Sequence, residues 1–176
     1  HDIVCKTAEV VVVGGVRRSA LISLSDLGDD QMRTAKSGQW WNSNVHRALA
    51  NNSANYHETP DMGTFMKEWS SLYESKSGER GMFSTKVARE HVDRTLEGRR
   101  VSVDDYGTNT CSEIILKHRE FCNLSEVVIR PDDDEHSIKQ KVYYATVLGT
   151  LQSTLTNFKY LSEEIFFNKK VGLLHG

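Results

Sequence analysis

Apolar positions along this chain change their spacing several times, and each change marks an element. Ile3, Val4, Ala8, Val11 and Val12 recur at helical intervals, Gly14-Gly15 interrupts them, and Ala20-Leu-Ile-Ser-Leu24 then alternates as a strand does. This order predicts a helix, a glycine loop and a strand. The acidic group Asp26-Leu-Gly-Asp-Asp30 predicts the start of a helix over Gln31–Lys36, because carboxylates favour the positive end of the helix dipole. A less regular stretch through Trp40-Trp41 leads to Arg47–Ser53, which ends in a short strand carrying Asn51 and Asn52. Phe65, Met66, Trp69 and Leu72 have the spacing of an amphipathic helix over Gly63–Tyr73, with its apolar face toward the core.

Ser75–Gly81 is a polar loop punctuated by glycine, and 89–105 is the most polar region, expected as an exposed or mobile connection. Strands are expected at Glu113–Leu116 and Ser125–Ile129. After the acidic turn Pro131-Asp-Asp-Asp-Glu135, a long helix is expected over Lys139–Tyr160. It carries Val142, Ala145, Leu148, Gly149, Gln152 and Leu155 near one face. Helices mixed with short apolar strands point to an α/β core.

Composition narrows the function classes. The chain has 176 residues, 38% of them hydrophobic, enough for one domain or for a large piece of a bigger one. A net charge of -2 gives no basic excess for a nucleic-acid backbone, so DNA is not an expected partner. The longest apolar run, Val10–Val13, is too short for a bilayer, and a cytoplasmic protein is the default expectation. The first residues read as the inside of a helix, and the end stops abruptly after apolar residues, so a segment of a longer protein is expected. No cysteine pair has the spacing of a zinc hook, the seven histidines form no metal-ligand pattern, and no bound metal is expected.

Candidate chemistry concentrates in Gly107-Thr-Asn-Thr-Cys111-Ser-Glu113 and, eleven positions after Cys111, at Cys122. A thiol between an amide and a carboxylate can be a nucleophile, a redox thiol or a hydrogen-abstracting thiyl. Glu113 can accept a proton from a substrate hydroxyl, while Asn109 holds another oxygen. The plainer alternative is that both cysteines are small buried hydrophobes. Arg17 and Arg18 on the glycine loop have the donors to meet a phosphate or a base. Asn51, Asn52 and Ser53 either hydrogen-bond a ribose or base or are satisfied by backbone. Trp40 and Trp41 read as packing residues, and Trp69 as part of a core helix.

Asn109-Thr-Cys111-Ser-Glu113-Ile resembles the active-site Asn-Pro-Cys-Ser-Glu-Ile of the ribonucleotide reductase catalytic subunit, most closely of the adenosylcobalamin-dependent class. Phe121-Cys122-Asn-Leu124-Ser-Glu126-Val is similar to the segment carrying one cysteine of that family's redox pair. Gly14-Gly15-Val16-Arg17-Arg18-Ser19 resembles the loop linking the specificity effector to the substrate. Further likeness runs through Ala48–Ser53, Pro60–Trp69, Ser77-Gly-Glu-Arg-Gly81 and Leu148–Phe158, so it covers most of the chain.

The resemblance implies a central segment of a ten-stranded α/β barrel, with 107–124 as a finger loop and its flanking strands. It implies reduction of ribonucleoside diphosphates or triphosphates by thiyl chemistry, with adenosylcobalamin as radical source, an external dithiol as reductant, and ATP or a deoxynucleotide as effector. Cys111 would abstract the ribose 3'-hydrogen, Glu113 take the 3'-hydroxyl proton, Asn109 orient the ribose oxygens and Cys122 donate reducing equivalents. The partner of Cys122 would come from upstream of this segment, which leaves Cys5 a structural role. Two departures stand out: Thr110 replaces the family's proline, and the other barrel segments are missing, so complementary chains or segments, and a homodimer, are expected partners. The isolated segment would be inactive. The rival reading is a noncatalytic nucleotide-binding or assembly fragment of a reductase.

Overall fold

The structure is a computed structural model. It describes residues 1–9, 20–95, 105–118, 120, 122–154 and 174–175. The chain divides into two compact units, His1–Ile115 and Leu116–Gly176.

In the first unit a helix, α1 (Asp2–Ala8), precedes a parallel sheet of β1 (Leu21–Asp26), β2 (Ala50–Asn55) and β3 (Gly81–Phe83), paired in that order. Leu21 lies beside Ala50, Asp26 beside Asn55 and Ser53 beside Gly81. Parallel neighbours need crossover connections. The first is α2 (Asp30–Thr34) with two 3-10 turns, Trp40–Asn42 and Val45–Leu49; the second is α3 (Met62–Ser75). Both helices start where a side-chain carboxylate can accept an orphan N–H. Asp29 receives Met32 N at 2.9 Å, and Asp61 receives Thr64 N at 3.0 Å. The expected strands near residues 20 and 51 and the expected helices after Asp30 and at 63–73 are all present.

Ala50, Ala54, Tyr56, Phe83, Ala88 and Val92 form the apolar centre, the last two from α4 (Thr85–Thr95). Gly81 is fitted to this packing, since a Cβ there would lie 3.0 Å from Ser53 Oγ. Residues 89–95 of the expected connection are therefore helical, with Val92 buried; 96–104 lie outside the described residues.

Beside the apolar centre is a charged one. Glu68 on α3, Arg33 on α2 and Arg80 just before β3 are each at most 6% exposed. Arg80 grips Glu68 with two bonds, 2.8 and 3.0 Å, and donates to Ser25 Oγ at 2.7 Å; Arg33 Nε donates to the same carboxylate. Burial alone would raise the Glu68 carboxyl, but the two guanidinium groups outweigh it and hold it below its ordinary value. This cluster also corrects the expected orientation of α3. Glu68 and Ser75 face inward while Trp69 is 49% exposed, stacked on Phe65 at 6.4 Å. Two buried cations require a carboxylate partner, and that requirement turns the helix.

The second unit holds β6 (Cys122–Asn123), paired in parallel with β7 (Leu174–His175), and α5 (Glu135–Ser153). The long helix begins earlier than its apolar spacing predicts because Asp134 and Ser137 form a capping box, with Ser137 N donating to Asp134 at 2.8 Å. Asp134→Ala is expected to fray the first turn of this helix, because the Ser137 N–H loses its cap. About fivefold faster amide exchange at Ser137 would check it. Residues 155–160 of the expected helix lie outside the described residues. Ser125–Ile129 corrects another expectation: it is not a strand, and Val128 and Ile129 are exposed. β-Branched composition alone does not make a strand where no ladder partner is paired with it.

The observed class is thus mixed α/β with a small parallel sheet. A ten-stranded barrel is not formed by the described strands. Among the described residues no helix is long and apolar enough to cross a membrane.

Candidate active site at the Cys111 loop

β4 (Tyr106–Thr108) and β5 (Ile115–Lys117) are the arms of a short hairpin, and residues 109–114 form its tip. The feet of the tip are anchored by burial, Tyr106 at 2% and Ile114 at 5% exposure, whereas Cys111, Ser112 and Glu113 are exposed. Asn109 organises the turn. Its backbone N–H donates to Ile114 O at 3.2 Å, its side-chain oxygen accepts Ile114 N at 3.1 Å, and its carbonyl accepts Ser112 N at 3.0 Å. Thr108 Oγ1 adds a bond to Ile114 O at 3.1 Å. The tight reversal puts Ser112 in the left-handed region, at φ 67°.

The Asn109 amide nitrogen also donates to Glu113 Oε1 at 2.5 Å. One hairpin tip therefore brings together Asn109, Cys111 and Glu113, the three residues expected to act on one substrate. An amide donor, a thiol and a carboxylate acceptor at a solvent-facing tip can hold a hydroxyl, remove its proton and present sulfur to a neighbouring carbon.

A link that sequence reasoning missed reaches the tip from β2: Asn51 Nδ2 donates to Thr110 O at 2.7 Å. Fifty-nine positions separate the two residues, and no spacing signal connects them.

The chain matches curated proteins over about 70% of its length. It is 33% identical over 125 residues to the adenosylcobalamin-dependent ribonucleoside-triphosphate reductase of Levilactobacillus brevis, a match of 68% of this chain and 15% of that relative. Against the protein of the same name from Lacticaseibacillus paracasei, identity is 35% over 122 residues, with the same coverage. Against that of Lactobacillus acidophilus it is 33% over 135 residues, 72% of this chain and 16% of the relative. The chain is a homologue of the adenosylcobalamin-dependent ribonucleotide reductases. It spans about 15% of the length of these relatives. No family model matches it, and no solved structure does.

The other sites expected of a reductase homologue are placed unevenly. Gly14, Gly15, Val16, Arg17, Arg18 and Ser19 lie outside the described residues. Cys122 is half-buried on β6, in the second unit. Asn52 and Ser53 are buried in β2. Asn52 Oδ1 is 2.9 Å from His1 Nε2, and its backbone N–H donates to Glu79 at 2.9 Å. Glu79 also receives Lys36 Nζ at 2.8 Å, and Lys36 donates to Ala50 O as well. Glu79 and Arg80, both within the Ser-Gly-Glu-Arg-Gly motif, thus hold the sheet and the charged core of this reductase homologue.

A second feature the sequence did not signal is a polar cavity of about 620 Å³ beside β1, lined by Asp2, Asp29, Arg47 and Ser23 among others. Asp2 there is clamped by Arg47 at 2.6 and 2.7 Å, which lowers its carboxyl to about 2.

None of the three cysteines is in a disulfide. Cys5 is fully buried, and burial pushes its thiol up. Alkylation of the native chain is therefore expected at Cys111 first, with Cys5 inert until unfolding. Peptide mass spectrometry after a timed iodoacetamide pulse reads the order directly, and early labelling of Cys5 would contradict its placement.

Proposed function

We propose that this chain carries the thiyl-bearing loop of a ribonucleotide reductase barrel that converts ribonucleoside triphosphates to 2'-deoxyribonucleotides. The observation that carries the reading is the meeting of Asn109, Cys111 and Glu113 at one exposed hairpin tip in a chain related to reductases of that name. The triphosphate level and the cofactor follow the names of the relatives.

In this reading adenosylcobalamin supplies the hydrogen-abstracting radical, and the residue present that fits it is Cys111, whose exposed sulfur can be reached from outside the loop. The Cys111 thiyl takes the hydrogen atom from ribose C3', forming S–H and leaving a carbon radical. Glu113 accepts the 3'-hydroxyl proton, and Asn109 donates to a ribose oxygen. Loss of the protonated 2'-hydroxyl as water follows. Cys122 and a second thiol outside this chain supply two electrons and two protons, becoming a disulfide, and the C3' hydrogen returns from Cys111. The net change is ribonucleotide plus dithiol to deoxyribonucleotide, water and disulfide. An external dithiol then restores the cysteine pair.

Gly14–Ser19 take the role of communicating between an ATP or deoxynucleotide effector and the substrate. Asn52 and Ser53 are buried in β2 next to Asn51, which reaches the Cys111 loop through the Thr110 carbonyl. The rest of the barrel comes from further reductase segments, and the assembly is cytoplasmic.

The test is to purify the native assembly containing this chain, identify its other components by mass, and assay it with ribonucleoside triphosphates, adenosylcobalamin and a dithiol. Deoxynucleotide formation that requires both additions is the expected result. An assembly with complementary reductase segments that forms no product would instead favour a noncatalytic fragment.

A further inference from the structure

We infer that Asn51 is a positioning residue for Cys111, acting through the peptide that joins Thr110 to the reactive cysteine. This rests on the reading of Cys111 as the reacting group. It assigns Asn51 to the loop, where its sequence context alone leaves ribose, base and backbone as equal alternatives.

The Thr110 carbonyl oxygen and the Cys111 nitrogen belong to one planar peptide unit. A donor fixed on that oxygen fixes the plane, and with it the direction in which the Cys111 Cα leaves the turn. The internal bonds of the tip run through Asn109, Ser112 and Ile114, so they set the shape of the turn. The 2.7 Å bond from Asn51 Nδ2 ties that turn to the parallel sheet. Thr110 adds to the need for such a tie, because threonine lacks the ring that would restrain φ at this position.

Asn51 is itself well held. Strand alternation points it away from its buried neighbours Ala50 and Asn52. Those neighbours are gripped on the backbone, Ala50 O by Lys36 and Asn52 N by Glu79, and Lys36 and Glu79 pair with one another. β1 supports the same strand, with Ile22 beside Asn51. The amide thus projects from a fixed stretch of sheet onto an otherwise exposed tip.

Asn51→Asp tests this because it keeps size and shape, loses the N–H donor and sets an oxygen against the Thr110 carbonyl. Amide exchange at Ser112 and Ile114 is expected to rise about fivefold or more, the equivalent of one lost hydrogen bond. The urea midpoint read by tryptophan fluorescence serves as the control for global stability. In the active assembly, kcat is expected to fall by about 10- to 100-fold with KM nearly unchanged, since a displaced sulfur impairs chemistry more than binding. Asn51→Gln, which retains the amide, is expected to recover part of the loss. Unchanged loop exchange in Asn51→Asp, or a raised KM at constant kcat, would overturn the inference. The exchange experiment needs no nucleotide, so the two readings fail separately: a loosened loop in a protein without reductase activity removes the reductase reading alone, and unchanged exchange in an active enzyme removes this one alone.

Discussion

Cys111→Ser is expected to abolish deoxynucleotide formation by the assembled enzyme while leaving the hairpin intact. Serine is nearly isosteric with cysteine, and the side chain is exposed, so packing changes little. The bonds that define the tip use Asn109, Ser112, Ile114 and the Thr110 carbonyl, none of which the substitution touches. In the proposed mechanism, what changes is the bond that is broken and remade in each turnover. An O–H bond does not exchange hydrogen with a carbon radical as an S–H bond does. The loss belongs to the class in which the reacting atom itself is removed, on the order of 10⁴-fold or more. Glu113→Gln gives a useful comparison, because a missing proton acceptor costs about 10²- to 10⁴-fold. Rates of product formation, with loop amide exchange as the structural control, decide the matter. Activity within tenfold of the parent in Cys111→Ser would remove the thiyl mechanism.

The largest expected effect on stability is at Glu68. Glu68→Ala leaves the guanidinium groups of Arg33 and Arg80 buried without their shared anion, a change expected to cost about 3–5 kcal/mol. Replacing all three by Arg33→Met, Glu68→Leu and Arg80→Met is expected to cost far less, because the cations leave with the anion. The readout is built into the chain: its three tryptophans, Trp40, Trp41 and Trp69, all lie in the first unit, so fluorescence in urea follows that unit. Glu68 also gives a pH dependence. Its folded pKa is depressed, so its stabilisation is present above the ordinary carboxylate pKa and is lost as pH falls through the folded value. Asp2, held at about 2, acts in the same direction, reduced by its partial exposure. The urea midpoint should therefore begin to fall near about pH 4 and continue falling toward about pH 2. A midpoint insensitive to acid would show that these carboxylates are not the anions of the folded state.

The parts of this structure that are local in sequence were legible in it. Alternation located β1, acidic residues located the start of α2, and Asn109, Cys111 and Glu113, grouped by their closeness in sequence, lie on one hairpin tip. The errors arose where distant residues decide. The spacing of Phe65, Met66, Trp69 and Leu72 gave α3 correctly, but its inward face follows Glu68, whose partners come from α2 and the start of β3. Ser125–Ile129 has strand composition, yet strand formation depends on a neighbour that composition does not specify. The Asn51 contact with Thr110 was likewise hidden, because it joins a sheet and a loop far apart in the chain.

The order β1-β2-β3 has a consequence for how the first unit is made. Among the three described strands of this sheet, β2 pairs with β1 and β3 with β2, so none of the three waits for another of them that comes later in the chain. As the chain leaves the ribosome, β1 is a template for β2, and β2 for β3, with each intervening helix arriving before the strand it precedes. The Cys111 hairpin emerges after this sheet is complete. The Cys111 loop is thus the last part of its unit to be laid down, and it docks on Asn51 only once the strand that carries that residue is in place.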